Sequence, residues 1–229
     1  MTKYTFKKDT FKKEIFNFDP MDFLPEARRA FSSANGFRDS IAKHRRMLNL
    51  SERVLKDILP AIRPTAVAAA FDGVSLEGDT LTISGVEFSC PAFSQFDPSR
   101  IRRIYPFMLT VGKPATSLNG ITAEVFADMW ATVFSDTIVA ALANKLNSQF
   151  SIYPGFYGFP LSSVGRFSSL LDSENTIGVS VREPGFVMIP VKTCCGLMFE
   201  TSGPLPLPAD DCGECTANRH WCIMCKNRG

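Results

Sequence analysis

Residues 122–147, TAEVFADMWATVFSDTIVAALANKLN, carry the clearest periodic signal in the chain. Val125, Met129, Trp130, Val133, Phe134, Thr137, Ile138, Ala141 and Leu142 recur at three- and four-residue steps, which predicts a helix with a continuous apolar face. Its polar face is thin, so the helix is expected to be deeply packed. Just upstream, residues 101–111 (IRRIYPFMLTV) read as a central strand, ended by Gly112 and Pro114.

Further upstream the period changes. Between residues 65 and 90, apolar positions alternate and are broken by Gly73 and by the turn Glu77-Gly78-Asp79. That pattern predicts short antiparallel strands. Residues 1 to about 60 read as helical, with one segment from Pro25 or Glu26 through Phe31 and another from Phe37 to about Leu48. A third helix is predicted from Asn49 to Pro60, with Ser51 as its N-cap before Val54, Leu55, Ile58 and Leu59.

Downstream of the long helix, residues 151–160 (SIYPGFYGFP) form a turn rich in Pro, Gly and aromatic residues. A short helix is expected over Ser162–Leu171, followed by strands at Thr176–Ser180 and Phe186–Pro190. GPLPLP at residues 203–208 is a stiff linker. The organisation expected is an N-terminal helical segment (1–50), a main domain (51–202), and a linker with a cysteine tail (203–229).

Composition narrows the function classes. The chain has 229 residues, 45% hydrophobic and 21% charged, which suits an ordinary globular core. Its 20 Phe against 4 Tyr and 2 Trp predict a Phe-rich interior. A formal charge of +2 argues against nucleic-acid binding by charge alone. Lys3, Lys7, Lys8, Lys12 and Lys13, and separately Arg100, Arg102 and Arg103, read as solvated faces. The lysine-rich start has no apolar stretch, and no uncharged apolar run reaches the length of about 18 residues that suggests a membrane span. A cytoplasmic protein is expected.

The tail reads Cys212-Gly-Glu-Cys215, six residues, then Cys222-Ile-Met-Cys225. Two Cys-x-x-Cys turns joined by a short loop can close four thiolates around zinc or around an iron–sulfur cluster. Ligand softness excludes magnesium and calcium and leaves those two open. The spacer is shorter than the usual zinc-ribbon interval of about 15–20 residues. Cys194 and Cys195 are adjacent and in a strand would face opposite ways, so both cannot easily bind one metal. Cys90 reads as buried. His44 and His220 are the only histidines, which argues against a histidine-based triad, and no phosphate-binding loop or hydrolase elbow occurs.

Ser151 to Phe199 resembles the activation domain of cobalamin-dependent methionine synthase, including its stand-alone members. Tyr153-Pro154-Gly155-Phe156 with Phe159-Pro160 is similar to the family's Arg-x-x-Pro-Gly-Tyr segment. Ile177 to Pro184, and Met188 to Gly196, are similar to the two segments that follow it there. The resemblance implies an α+β fold, a twisted antiparallel sheet flanked by helices. It also implies docking on a corrinoid protein or methyltransferase, S-adenosylmethionine as methyl donor, and cobalamin carried by the partner. Tyr153, Pro154, Gly155, Phe156 and Glu183 are the implied cofactor-binding residues. The departures are specific. Ser151 stands where the family has Arg, and Ser cannot make a bidentate grip on a carboxylate. The family's Pro-Gly-Tyr tyrosine is Phe156, and its later tyrosine pair is replaced by the linker and tail. These changes weaken the case for S-adenosylmethionine. Two functions follow: a corrinoid reactivation factor using a tail cluster, or a non-catalytic binding module with structural zinc.

Overall fold

The computed structural model describes residues 4–5, 13–34, 36–37, 40–71 and 73–205. The tail cysteines Cys212, Cys215, Cys222 and Cys225, with His220, lie outside the described residues. In chain order the elements begin β1 (Tyr4–Thr5), β2 (Glu14–Asn17), α1 (Pro20–Ala34), α2 (Ala42–Ile58), β3 (Ile62–Ala68), β4 (Ser75–Glu77), β5 (Thr80–Ile83) and β6 (Val86–Ser89). They continue β7 (Ile101–Gly112), α3 (Ile121–Lys145), β8 (Phe150–Ile152), α4 (Ser163–Leu171), α5 (Ser173–Ile177), β9 (Ser180–Arg182), β10 (Val187–Ile189) and β11 (Thr193–Thr201).

A five-stranded antiparallel sheet of order β2-β3-β7-β11-β8 organises the fold, so β7 is its central strand as predicted. Strand alternation divides the interior between its two faces. Tyr105, Phe107, Leu109 and Val111 of β7 face one core, and Ile104 and Met108 face the other. On β3, Ala66 and Ala68 belong to the first core and Val67 to the second. On β11, Met198 faces the first core, while Cys195, Leu197 and Phe199 face the second.

The first core lies under α1, α2 and α3. Trp130 of α3 stacks on Phe31 of α1 with centroids 3.9 Å apart. The Trp130 indole N–H donates to the Ser51 carbonyl at 2.9 Å, satisfying a polar group that burial would otherwise strand. The second core lies under α4 and the four-stranded sheet β1-β4-β5-β6. Phe88, Phe93, Phe159 and Phe167 meet there ring against ring. The abundant Phe is spent on both cores.

α3 is long and apolar enough, by length and composition, to cross a membrane. Its packing accounts for that apolarity: Phe126, Trp130, Phe134, Ile138 and Leu142 are buried between α1, α2 and the sheet. The buried stripe runs through Phe126, and Val125 is half exposed at 49%.

Four local expectations are corrected. Residues 1 to about 60 are not helical throughout: Glu14–Asn17 is a strand that pairs antiparallel with β3 at the sheet edge. α2 runs unbroken across position 50, because no Pro or Gly interrupts residues 42–58. Ser51 is therefore not an N-cap. It is buried inside the helix and donates its hydroxyl to the Leu48 carbonyl at 2.9 Å. α1 begins at Pro20 rather than Pro25, with the Asp19 carboxylate accepting the Met21 amide at 2.9 Å. Thr176 and Ile177 are helical, and β9 starts only at Ser180. Asp172 ends α4 in the left-handed region at φ 54°, and the Ser173 hydroxyl donates to the Val179 carbonyl at 2.7 Å, which curls 173–179 into a turn of helix.

Candidate functional site

β8 pairs with the end of β11 at the sheet edge and runs directly into the turn predicted from SIYPGFYGFP. The turn closes on itself. The Phe156 amide donates to the Tyr153 carbonyl (3.1 Å), the Gly155 amide to the Phe159 carbonyl (2.7 Å), and the Phe159 amide to the Phe156 carbonyl (2.9 Å). Gly155 has φ +93°, a conformation that side-chain-bearing residues rarely adopt. The turn is pinned from below, where the Cys90 thiol donates to the Tyr157 carbonyl at 3.4 Å.

Glycine on the neighbouring strand sets the height of the turn. A Cβ on Gly196 would overlap the Ile152 carbonyl oxygen and lie 3.2 Å from the Tyr153 ring. The missing side chain lets Tyr153 settle over the sheet, edge-on to Phe107 with centroids 6.0 Å apart. Phe156 stands at 70° to Tyr153, centroids 6.3 Å apart, and is 51% exposed.

Beside this turn is a cavity of about 420 Å³, within the range of small-molecule sites. Tyr153, Pro154, Phe156 and Leu161 form one wall, Phe186 and Met188 another. Asp136 and Val139 of α3, Val164 of α4, and Thr193, Cys194 and Cys195 of β11 complete it. Of the residues anticipated from sequence, Tyr153, Pro154 and Phe156 come together here. Gly155 shapes the turn without lining the cavity. Glu183 is exposed at the β9–β10 turn, with its carboxylate near Gly165 of α4, and does not line the cavity. Asp136, Phe186 and Met188 were not anticipated. The signal available was a lone carboxylate inside the apolar run ATVFSDTIVAAL.

The electrostatics are those of a largely uncharged pocket. Burial pushes the Tyr153 phenol up to about 12, opposed by a hydrogen bond with the Ser151 side chain. Burial likewise pushes the Cys194 thiol up to about 12, opposed by the Ser135 hydroxyl 4.0 Å from its sulfur. The Cys195 thiol is also raised by burial. All three are therefore protonated at neutral pH, and none is poised as a nucleophile. Asp136 is solvent-exposed at the cavity edge; partial desolvation raises its pKa and the charge of Lys192 opposes the rise. Among the described residues no Lys, Arg or His lines the cavity. Asp136 is the one carboxylate in the lining.

A second cavity, about 560 Å³, lies between the N-terminal half of α3 and residues 189–192. Lys192 lines this second cavity. Its ammonium bonds Asp128 at 2.8 Å and Thr132 at 2.9 Å, one turn of α3 short of Asp136. No described group of three or more His, Cys, Asp and Glu side chains is placed to hold a metal.

The architecture is an α+β domain with antiparallel sheets flanked by helices. The same fold occurs in the crystal structure of a MetH reactivation domain bound to AdoHcy, with a TM-score of 0.64. That match covers 89% of this chain and 83% of the other, at 12% sequence identity. No family model matches the chain. No curated protein matches it either.

Proposed function

We propose that the chain is an accessory or reactivation factor for a corrinoid methyltransferase, docking on the corrinoid-carrying protein and supporting reduction or methylation of its cobalt. The observation that carries this is the fold shared over 89% of the chain with a MetH reactivation domain, joined to a ligand-sized cavity beside Tyr153, Pro154 and Phe156. In this reading the domain's contribution is positional: it holds a small ligand close to the partner's cobalt centre. The cysteines at 212, 215, 222 and 225 are assigned an iron–sulfur cluster as the electron source.

The fit to S-adenosylmethionine is partial. Aromatic and thioether walls suit an adenine and a sulfur, but the cavity offers no cation for the methionine carboxylate. Glu183, proposed from the resemblance as a cofactor contact, would have to reach a ligand from outside the cavity. The second reading, a binding module with structural zinc, is favoured by this missing cation and by the protonated thiols of Cys194 and Cys195, which do not suit a redox relay.

The test is anaerobic purification followed by metal analysis, then mixing with a corrinoid protein held as cob(II)alamin under a supplied reductant. Iron with broad visible absorbance, and cobalt reduction that disappears when the four tail cysteines are replaced by serine, support the reactivation factor. One zinc per chain, and cobalt reduction unchanged in the serine variant, establish the binding module instead.

A further inference from the structure

We propose that Asn119 is a site of spontaneous deamidation, converting to aspartate and isoaspartate in the folded protein ahead of the chain's other Asn-Gly pair. The inference depends neither on the reading of the cavities nor on corrinoid docking. The reaction needs an accessible asparagine carboxamide, a following residue without a side chain, and a backbone nitrogen free to attack. Asn119 and Gly120 are both exposed, in the loop between β7 and α3. A Cβ on Gly120 would meet nothing within 4 Å, so no neighbour screens the approach. The loop is tied down as far as Leu118, through Asp57 with Thr116 and Ser117, and through the Leu118 amide on the Thr116 hydroxyl at 3.1 Å. α3 takes over at the Gly120 carbonyl, which accepts the Ala123 amide at 2.9 Å. Between these two anchors, neither the Asn119 carboxamide nor the Gly120 amide makes a hydrogen bond among the described residues.

The step balances with water as the only co-reactant. The Gly120 nitrogen gives up its proton and bonds to the side-chain carbonyl carbon of Asn119, and the carboxamide nitrogen leaves as ammonia. Water then opens the five-membered imide at either carbonyl. One opening gives aspartate; the other gives isoaspartate, with the backbone running through the former side chain. The second pair, Asn35-Gly36, supplies an internal comparison. Gly36 is equally open, with nothing within 4 Å of an added Cβ, and both glycines have positive φ, +61° at Gly36 and +110° at Gly120. The Gly36 amide, however, donates to the Ser33 carbonyl at 3.3 Å. That bond has to be given up before the nitrogen attacks, so the fold retards Asn35 and leaves Asn119 unprotected. A negative charge gained at position 119 falls just ahead of the first turn of α3, where the helix dipole favours it. The isoaspartate form adds a backbone carbon to the loop whose residues 112–116 line the second cavity.

The experiment is prolonged incubation of the full chain at mildly alkaline pH. Peptide mapping by mass spectrometry follows amide-to-acid conversion, and labelling with an isoaspartyl methyltransferase detects the isoaspartate. In the folded protein Asn119 is expected to convert about fivefold faster than Asn35, the rate equivalent of one net backbone hydrogen bond. In urea, where the Gly36 bond is lost, the two rates are expected to converge. Asn119→Gln, whose longer side chain closes an imide slowly, is expected to lose the fast phase while Asn35 keeps its rate. Equal rates in the folded protein, or faster conversion at Asn35, overturns the proposal. So does isoaspartate labelling that proceeds undiminished in the Asn119→Gln variant. These outcomes are read without any ligand or corrinoid protein, so they are separable from failure of the docking function.

Discussion

Gly196 lies so close to Ile152 that a methyl group on its α-carbon would overlap the Ile152 carbonyl oxygen. The obstacle is backbone, which cannot swing away as a side chain can. Gly196→Ala should therefore part β8 from β11 and lift Tyr153 off the sheet. Overpacking of this kind costs about 1–3 kcal/mol. Urea denaturation should show that loss of stability, and any ligand bound at the Tyr153 cavity should bind more weakly. Unchanged stability and binding would mean that the turn does not depend on this close approach.

Phe31 is the second sensitive point. It stacks on Trp130 with an interplanar angle of 11° and also meets Phe37 and Phe126. Phe31→Ala leaves a void between α1 and α3 and should cost about 3–5 kcal/mol. The same urea titration, followed by tryptophan fluorescence, reads both the stability and the changed surroundings of Trp130.

Asp57 ties α2 to the loop before α3. Its carboxylate accepts the Thr116 hydroxyl at 2.7 Å, the Ser117 hydroxyl at 2.8 Å and the Ser117 amide. These bonds favour the ionised form and hold its pKa below the ordinary value of 3.8, the Thr116 bond contributing most. A carboxyl depressed in the folded state stabilises above its unfolded pKa, and that contribution fades as pH falls through the folded value. Asp57→Asn should be the less stable protein at neutral pH, and its deficit should shrink below the ordinary carboxylate value. Urea midpoints measured across acidic pH check the sign.

Cys90, Cys194 and Cys195 should resist alkylation in the native protein. Burial is the leading cause of the raised pKa at each, so the reactive thiolate is scarce at neutral pH. Iodoacetamide labelling followed by peptide mapping should find these positions unmodified until denaturant is added. Rapid native labelling at Cys194 would mean that its thiol is accessible and reactive in the folded protein.

Much of the frame was legible in the sequence. The three- and four-residue steps from Met129 to Leu142 marked the long helix, and IRRIYPFMLTV marked the central strand, because burial imposes its own period on each. The adjacent cysteines at 194 and 195 face opposite cores for the same reason. Tyr153, Pro154 and Phe156 were legible as a turn because Gly155 between them has a conformational demand that composition alone betrays. Ser51 misled, since a serine before an apolar stripe looks like a cap unless the helix continues on its far side. Asp172 and Ser173 misled in turn, because a left-handed residue and a side-chain bond made helix where the apolar pattern suggested strand.

The sequence by itself determined the long helix, the central strand and the Pro-Gly turn, which are features of local spacing. The tertiary structure alone decided the cavity. Asp136, Phe156 and Met188 are far apart in the chain and meet only because α3 crosses the sheet beside the β8–α4 turn and the β9–β10 hairpin. No local period encodes that meeting, since it depends on how packed elements come to rest against one another.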